Sequence, residues 1–147
     1  MAEKTQFATF FVDGLFFGVE VEKVQEVINS LALTRVPLAP SVVEGLINLR
    51  GQIVTAIDLR RRLELRERAA GSAPMNVVVR TEDGAVSLLV DEIGDVLEAE
   101  EGLFEPPPNT VSGVGRELIR GSYKLKDRLM HVLDTERTLC LAGEAKT

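Results

Sequence analysis

The chain has 147 residues, 45% hydrophobic and 27% charged, with a formal net charge of −6. That is the balance of a globular domain able to bury its own core, and the excess of carboxylates argues against nucleic acid, whose phosphates need clustered Lys and Arg. Cys140 is the single cysteine, so no intramolecular disulfide can form; no signal peptide, no bilayer-spanning stretch and no direct membrane insertion are expected, which predicts a cytoplasmic protein.

The apolar runs are short, β-branched or aromatic, and punctuated by turns. Strands are predicted over 7–12 and 15–21, around Asp13-Gly14, a dipeptide that accepts the positive φ angles of a type I′ turn. Further strands are predicted over 46–49 and 52–57, after which Asp58 can cap a short helix over 59–63. The segment 66–74, rich in charge, Ala and Gly, reads as an exposed, mobile link. Strands over 77–81 and 85–90 flank Asp83-Gly84; others follow at 95–99, 119–124 and 128–133. Asp134 or Thr135 then caps a helix over 136–139. Frequent turns between short strands favour a barrel or sandwich over a βαβ sheet.

The chain also resembles itself. Val42-Val43-Glu44-Gly45, Leu49, Ile53, Ile57-Asp58, Arg61 and Leu63 match Leu118-Ile119-Arg120-Gly121, Leu125, Leu129, Leu133-Asp134, Arg137 and Leu139 at a constant separation of 76 residues. Residues 22–27 match 91–96 at a separation of 69. The sequence therefore reads as one domain, 5–143, made of two related β units over about 7–65 and 76–141. Two copies are too few for a solenoid, and a pseudo-two-fold pair of small barrels fits better.

Catalytic chemistry leaves no signature. His131 is the only histidine, and its phase opposite to Met130 and Val132 predicts an exposed strand position. No His or Cys cluster suits a metal, and no phosphate-binding or nucleophile-elbow pattern occurs. Gly113-Val114-Gly115 reads as a loop, and Glu98, Glu100, Glu101 and Glu105 as a solvated edge. Arg60-Arg61-Arg62 on a helix would fan through about 200° and share no face, which predicts a solvated run. Pro106 to Pro108 reads as a rigid connection. No cofactor is expected. A carboxylate-dependent hydrolase and an SH3-like binder of proline-rich peptides stand as alternatives; the second lacks an aromatic-lined groove, with one Tyr and no Trp.

The sharpest local feature is Gly45-Leu46-Ile47-Asn48-Leu49-Arg50-Gly51-Gln52, where two glycines bracket a strand-like segment and Arg50 precedes a bend. A guanidinium there offers five donors to a carboxylate, either on a partner or as an internal ion pair that fixes the turn. Val24-Gln25-Glu26-Val27-Ile28 places apolar residues beside a carboxylate on another strand.

Together these runs, with Thr34-Arg35-Val36-Pro37, Pro40 and Ile57-Asp58-Leu59-Arg60, resemble the CheW-type chemotaxis coupling proteins over roughly 7–141. The resemblance implies two SH3-like five-stranded barrels packed together, either contiguous or with strands exchanged. It implies a non-catalytic adaptor joining the cytoplasmic tips of methyl-accepting chemoreceptors to the regulatory domain of the histidine kinase CheA. By position, Val24, Gly45, Arg50, Gly51, Asn76, Val77, Val78, Ser87 and Val96 are the implied receptor-side residues, and Glu26 and Val27 the kinase-side ones. A coupler of a non-flagellar chemosensory pathway would read the same way.

Overall fold

A computed structural model describes residues 4–29, 31–67, 69, 71–82, 84–100, 104–106, 113, 117–126 and 128–139. Asp83, Glu101, Pro107, Pro108, Val114, Gly115 and Cys140, all named above, lie outside them.

The N-terminal half supplies β1 (Lys4–Val12), β2 (Leu15–Glu20), a 3-10 turn (Val21–Lys23), β3 (Val24–Ile28), β4 (Val43–Leu49), β5 (Gln52–Asp58) and helix α1 (Leu59–Arg62). The C-terminal half supplies β6 (Met75–Thr81), β7 (Gly84–Val90), β8 (Glu92–Glu100), β9 (Phe104–Glu105), β10 (Ile119–Lys124), β11 (Leu129–Leu133) and helix α2 (Thr135–Leu139). Local chemistry explains the breaks. Asp13 and Gly14 take φ of 50° and 79°, and Arg50 and Gly51 take 52° and 88°; both pairs turn the chain in the sense that matches strand twist. The Gly51 amide donates to Asn48 Oδ1 at 2.8 Å, closing the β4–β5 turn. Each helix starts at an aspartate that accepts an amide at 3.0 Å, Asp58 from Arg60 and Asp134 from Arg137.

Two sheets result, with strand orders β8-β1-β2-β11-β10-β9 and β3-β6-β7-β5-β4. The sequence repeat relates β3, β4 and β5 to β8, β10 and β11. Aligning the hairpin β1–β2 with β6–β7 at the same separation of 69 makes the two strand orders identical except for β9. Each sheet therefore holds the hairpin of one copy between the strands of the other. The joints are the parallel pairs β2–β11 and β5–β7 and the antiparallel pairs β1–β8 and β3–β6. The chain is mainly β with short helices, as expected, but its hydrogen-bonded ladders are open sheets, the first with six strands, not closed five-stranded barrels.

Three apolar layers follow from strand alternation. Phe10, Val12, Phe17, Val19, Val77, Val79, Leu88 and Val90 meet in a shared core with Ile57, Leu59 and Leu133. The alternate residues turn to each sheet's own interior: Phe7, Phe16, Tyr123, Met130 and Val132 in the first, Ile47, Leu49, Val54, Val78 and Leu89 in the second. A central strand is thus covered on both faces, and its alternation does not mark an exposed side.

This corrects the expectation for His131, which is only 6% exposed. Met130 and Val132 face the sheet interior, while the imidazole faces the other way, against Phe17 at 5.8 Å between ring centroids. His131 Nδ1 shares a 2.8 Å hydrogen bond with Ser122 Oγ, and burial lowers its pKa.

The arginine run is also corrected: it fans as expected, but each guanidinium finds its own partner instead of water. Arg60 forms a two-pronged contact with Asp91, at 2.9 and 2.6 Å. Arg61 reaches Glu44 at 3.2 Å, and Arg62 donates to the Thr138 carbonyl at 2.7 Å. Arg60 also donates to the carbonyls of Arg66 and Glu67, while Arg66 Nη2 binds Asp13 Oδ1 at 2.9 Å. Between the copies, the described residues over 66–73 are exposed as expected, yet the first two are tied to α1 and to the β1–β2 turn.

Candidate functional site

β3 and β4 lie at opposite ends of the second sheet, yet Arg50 Nη2 at the β4–β5 turn donates to Glu26 Oε2 on β3. The contact shows that the sheet curls until its ends approach. Arg50 and Gly51 can adopt positive φ because glycine carries no Cβ and because the turn is closed by the side chain of Asn48. The positive φ at Arg50 directs its side chain out of the turn: it is 71% exposed, against 22% for Glu26. The ion pair foreseen as an alternative for Arg50 exists, but it lies at the surface and can accept a partner's groups. Desolvation of either charge is incomplete there, so the pair adds little to folding.

Two apolar side chains accompany the pair. Val27, next to Glu26 on β3, is 46% exposed, and Ile53, two residues beyond Gly51 on β5, is 61% exposed. A guanidinium–carboxylate pair at the surface, with exposed aliphatic residues on the strands that carry it, is the composition of a protein-binding surface.

The remaining predicted residues divide into supports and an outlier. Val24 is half-buried against the shared core and pairs with Val79. Gly45 is buried, and a Cβ there would stand 2.5 Å from the Thr34 carbonyl oxygen. Its lack of a side chain lets the 34–46 bridge form, with Thr34 and Leu46 exchanging two 2.8 Å backbone hydrogen bonds. Val77 and Val78 are buried in β6, directly beside Val27 and Glu26 in register. Asn76 and Ser87 are also buried: Ser87 Oγ donates to Asn76 Oδ1 at 2.8 Å, and Asn76 Nδ2 donates to the Asn29 carbonyl at 3.1 Å. These four cannot touch a partner without unfolding; they hold β3 and its exit from beneath. Val96 is 58% exposed but lies on β8 of the first sheet.

The kinase-side and receptor-side residues named from sequence therefore meet, since Glu26 and Arg50 are in contact. Sequence reasoning missed Ile53, although its alternation with buried Val54 was readable. It also missed Leu38, fully exposed with φ of 64°, between Pro37 and Pro40. Among the described residues, no three His, Cys, Asp or Glu side chains gather as metal ligands, and no helix is long and apolar enough to cross a membrane.

Comparison with known proteins agrees with this architecture. The CheW-like domain family matches residues 6–141. A chemotaxis protein CheW from Treponema pallidum is 29% identical over 139 residues, covering 92% of this chain and 82% of that protein. One from Bacillus subtilis is 31% identical over 130 residues, covering 88% and 83%. The crystal structure of a scaffolding protein CheW from Thermoanaerobacter tengcongensis superimposes with a TM-score of 0.80 at 27% identity, covering 89% of each chain.

Proposed function

The chain belongs to the CheW-like domain family of chemotaxis scaffold proteins, and from that premise we propose that it couples chemoreceptor tips to the regulatory domain of the histidine kinase CheA. The receptor tip would meet the surface around Arg50, Gly51 and Ile53, its apolar helix face on Ile53 and its polar groups on the guanidinium. The kinase would approach along Glu26 and Val27. The observation that carries this reading is the surface Arg50–Glu26 pair, with exposed Val27 and Ile53 on the strands that carry it. Apolar burial would supply the affinity and the pair the orientation.

In this reading the protein performs no covalent chemistry; its contribution is positional. Val77, Val78, Asn76 and Ser87 would keep β3 stiff, so displacement of a receptor helix would pass to the kinase rather than be absorbed. The chain would act in the cytoplasm, recruited to receptor arrays at the membrane. The same surface would serve a non-flagellar chemosensory pathway, where only the partner kinase differs.

Co-sedimentation of a receptor-tip fragment with the kinase, with and without the chain, tests the proposal. The chain should increase the kinase recovered with receptor. Arg50→Ala should weaken that recovery by about tenfold, the effect of losing roughly 1.5 kcal/mol in a charge-assisted hydrogen bond. Its stability should change by less than about 1 kcal/mol, because the pair is exposed. Recovery that is the same with and without the chain would refute the coupling role.

A further inference from the structure

The first sheet carries its own cleft, separate from the Glu26–Arg50 surface, where edge strand β8 approaches the β10–β11 turn. Its volume is about 370 Å³, within the range of a seat for one large side chain and its neighbours. Phe11, Phe16, Leu97 and Leu125 supply its apolar part. Asp95 and Glu98 stand on the β8 side, Lys126 and Arg128 on the turn side. The Arg128 guanidinium lies over the rings of Phe16 and Phe11, 4.9 and 5.6 Å from their centroids.

The sequence repeat makes this arrangement informative. Asp95 corresponds to Glu26 and Lys126 to Arg50. In the second sheet the acid and base close on each other; in the first, Asp95 and Lys126 form no ion pair with one another among the described residues. Phe11 and Phe16 correspond to Arg80 and Ala85, so the aromatic floor is also particular to the first sheet. One copy of the device is latched; the other stands open over aromatic rings.

We infer that this cleft seats a protein segment presenting one large apolar side chain between a basic and an acidic residue. The apolar group would lie against half-buried Phe11, Leu97 and Leu125, where area removed from water drives association. The basic residue would meet Asp95 and Glu98, and the acidic one Lys126. Opposite charges on opposite walls fix the direction of the segment, because the reverse order would set like charges together. A protein segment fits better than a free small molecule because β8 is an edge strand, paired only with β1 in the sheet, and its outer side offers backbone groups to a second chain.

The test titrates the isotope-labelled full chain with two acetylated, amidated heptapeptides, each with a central Phe, one with Lys before and Glu after it and the other reversed. One order should shift the amides of Gly94, Leu97 and Leu125 saturably, and the other should bind at least tenfold more weakly. Lys126→Glu, a change at an exposed residue, should weaken the favoured peptide at least tenfold while leaving the rest of the spectrum unchanged. The Asp95→Lys, Lys126→Glu double exchange should invert the preference. Absence of saturable shifts with both peptides, shifts centred on Glu26 and Arg50 instead, or binding indifferent to Lys126→Glu would each overturn the inference.

Discussion

Replacing Gly45 by Ala adds one methyl group at a place where β4 nearly touches the segment before it. The new carbon would stand 2.5 Å from the Thr34 carbonyl oxygen and 3.0 Å from its carbon, against the 3.4 Å of ordinary contact. The obstacle is backbone, so it cannot rotate away, and a gap of about 0.9 Å must open. Opening it breaks or stretches the two 2.8 Å hydrogen bonds between Thr34 and Leu46. At a net value of about 0.5–1.5 kcal/mol each, their loss costs roughly 1–3 kcal/mol; keeping them with the methyl wedged in costs a similar amount as strain. Taking about 2 kcal/mol, a domain of this size should melt about 4–8 °C lower. Thermal unfolding by circular dichroism measures the shift, and hydrogen exchange at the Thr34 and Leu46 amides reports whether the bridge opened. A variant that melts within about 1 °C of the parent and protects both amides normally would refute this reasoning. If that variant also lost receptor binding, Gly45 would be a contact residue and not a spacer.

Three other outcomes follow from the polar contacts. Arg60→Ala strips Asp91 of its two-pronged partner and frees the carbonyls of Arg66 and Glu67, so urea unfolding should show a loss of about 2–3 kcal/mol and limited proteolysis should newly cut near 66–67. Asn76→Ala leaves the buried Ser87 hydroxyl and the Asn29 carbonyl without their partner, a cost of about 1–3 kcal/mol by the same assay. Burial lowers the His131 pKa below 6.5, so the unfolded chain binds this proton more readily than the folded one. The stability contributed by the neutral ring is complete above pH 6.5 and is lost as pH falls below it; His131→Gln should flatten the urea midpoint between pH 7 and pH 5, and an unchanged slope would remove His131 as the cause.

Much of the site was readable because it depends on local chemistry. The Arg50-Gly51 turn follows from a dipeptide able to take two positive φ angles, and both helix caps from aspartates one residue before a helical run. Arg50 as a surface donor and Glu26 on another strand were both nameable. Their contact was not, because 24 residues separate them and only the curl of the sheet brings β3 to the β4–β5 turn. The supporting role of Asn76, Val77, Val78 and Ser87 was hidden for a related reason: burial is decided by which strands flank β6, and those come from elsewhere in the chain. His131 shows the same limit most clearly. Alternation gives the phase of a strand, but exposure follows only when one face meets water, and both faces of β11 meet protein.

By itself, the sequence determined a mainly β chain, its turns and caps, its internal repeat and its family. These are short-range or repeated signals, carried by backbone preferences and by residue types at fixed spacings. The tertiary structure alone decided the exchange of hairpins between the two copies, the shared core, the pairing of Arg60 with Asp91, and the difference between a latched end and an open one. Hydrophobic burial rewards any arrangement that covers both faces of the central strands, and nothing local tells a hairpin which copy's strands will cover it.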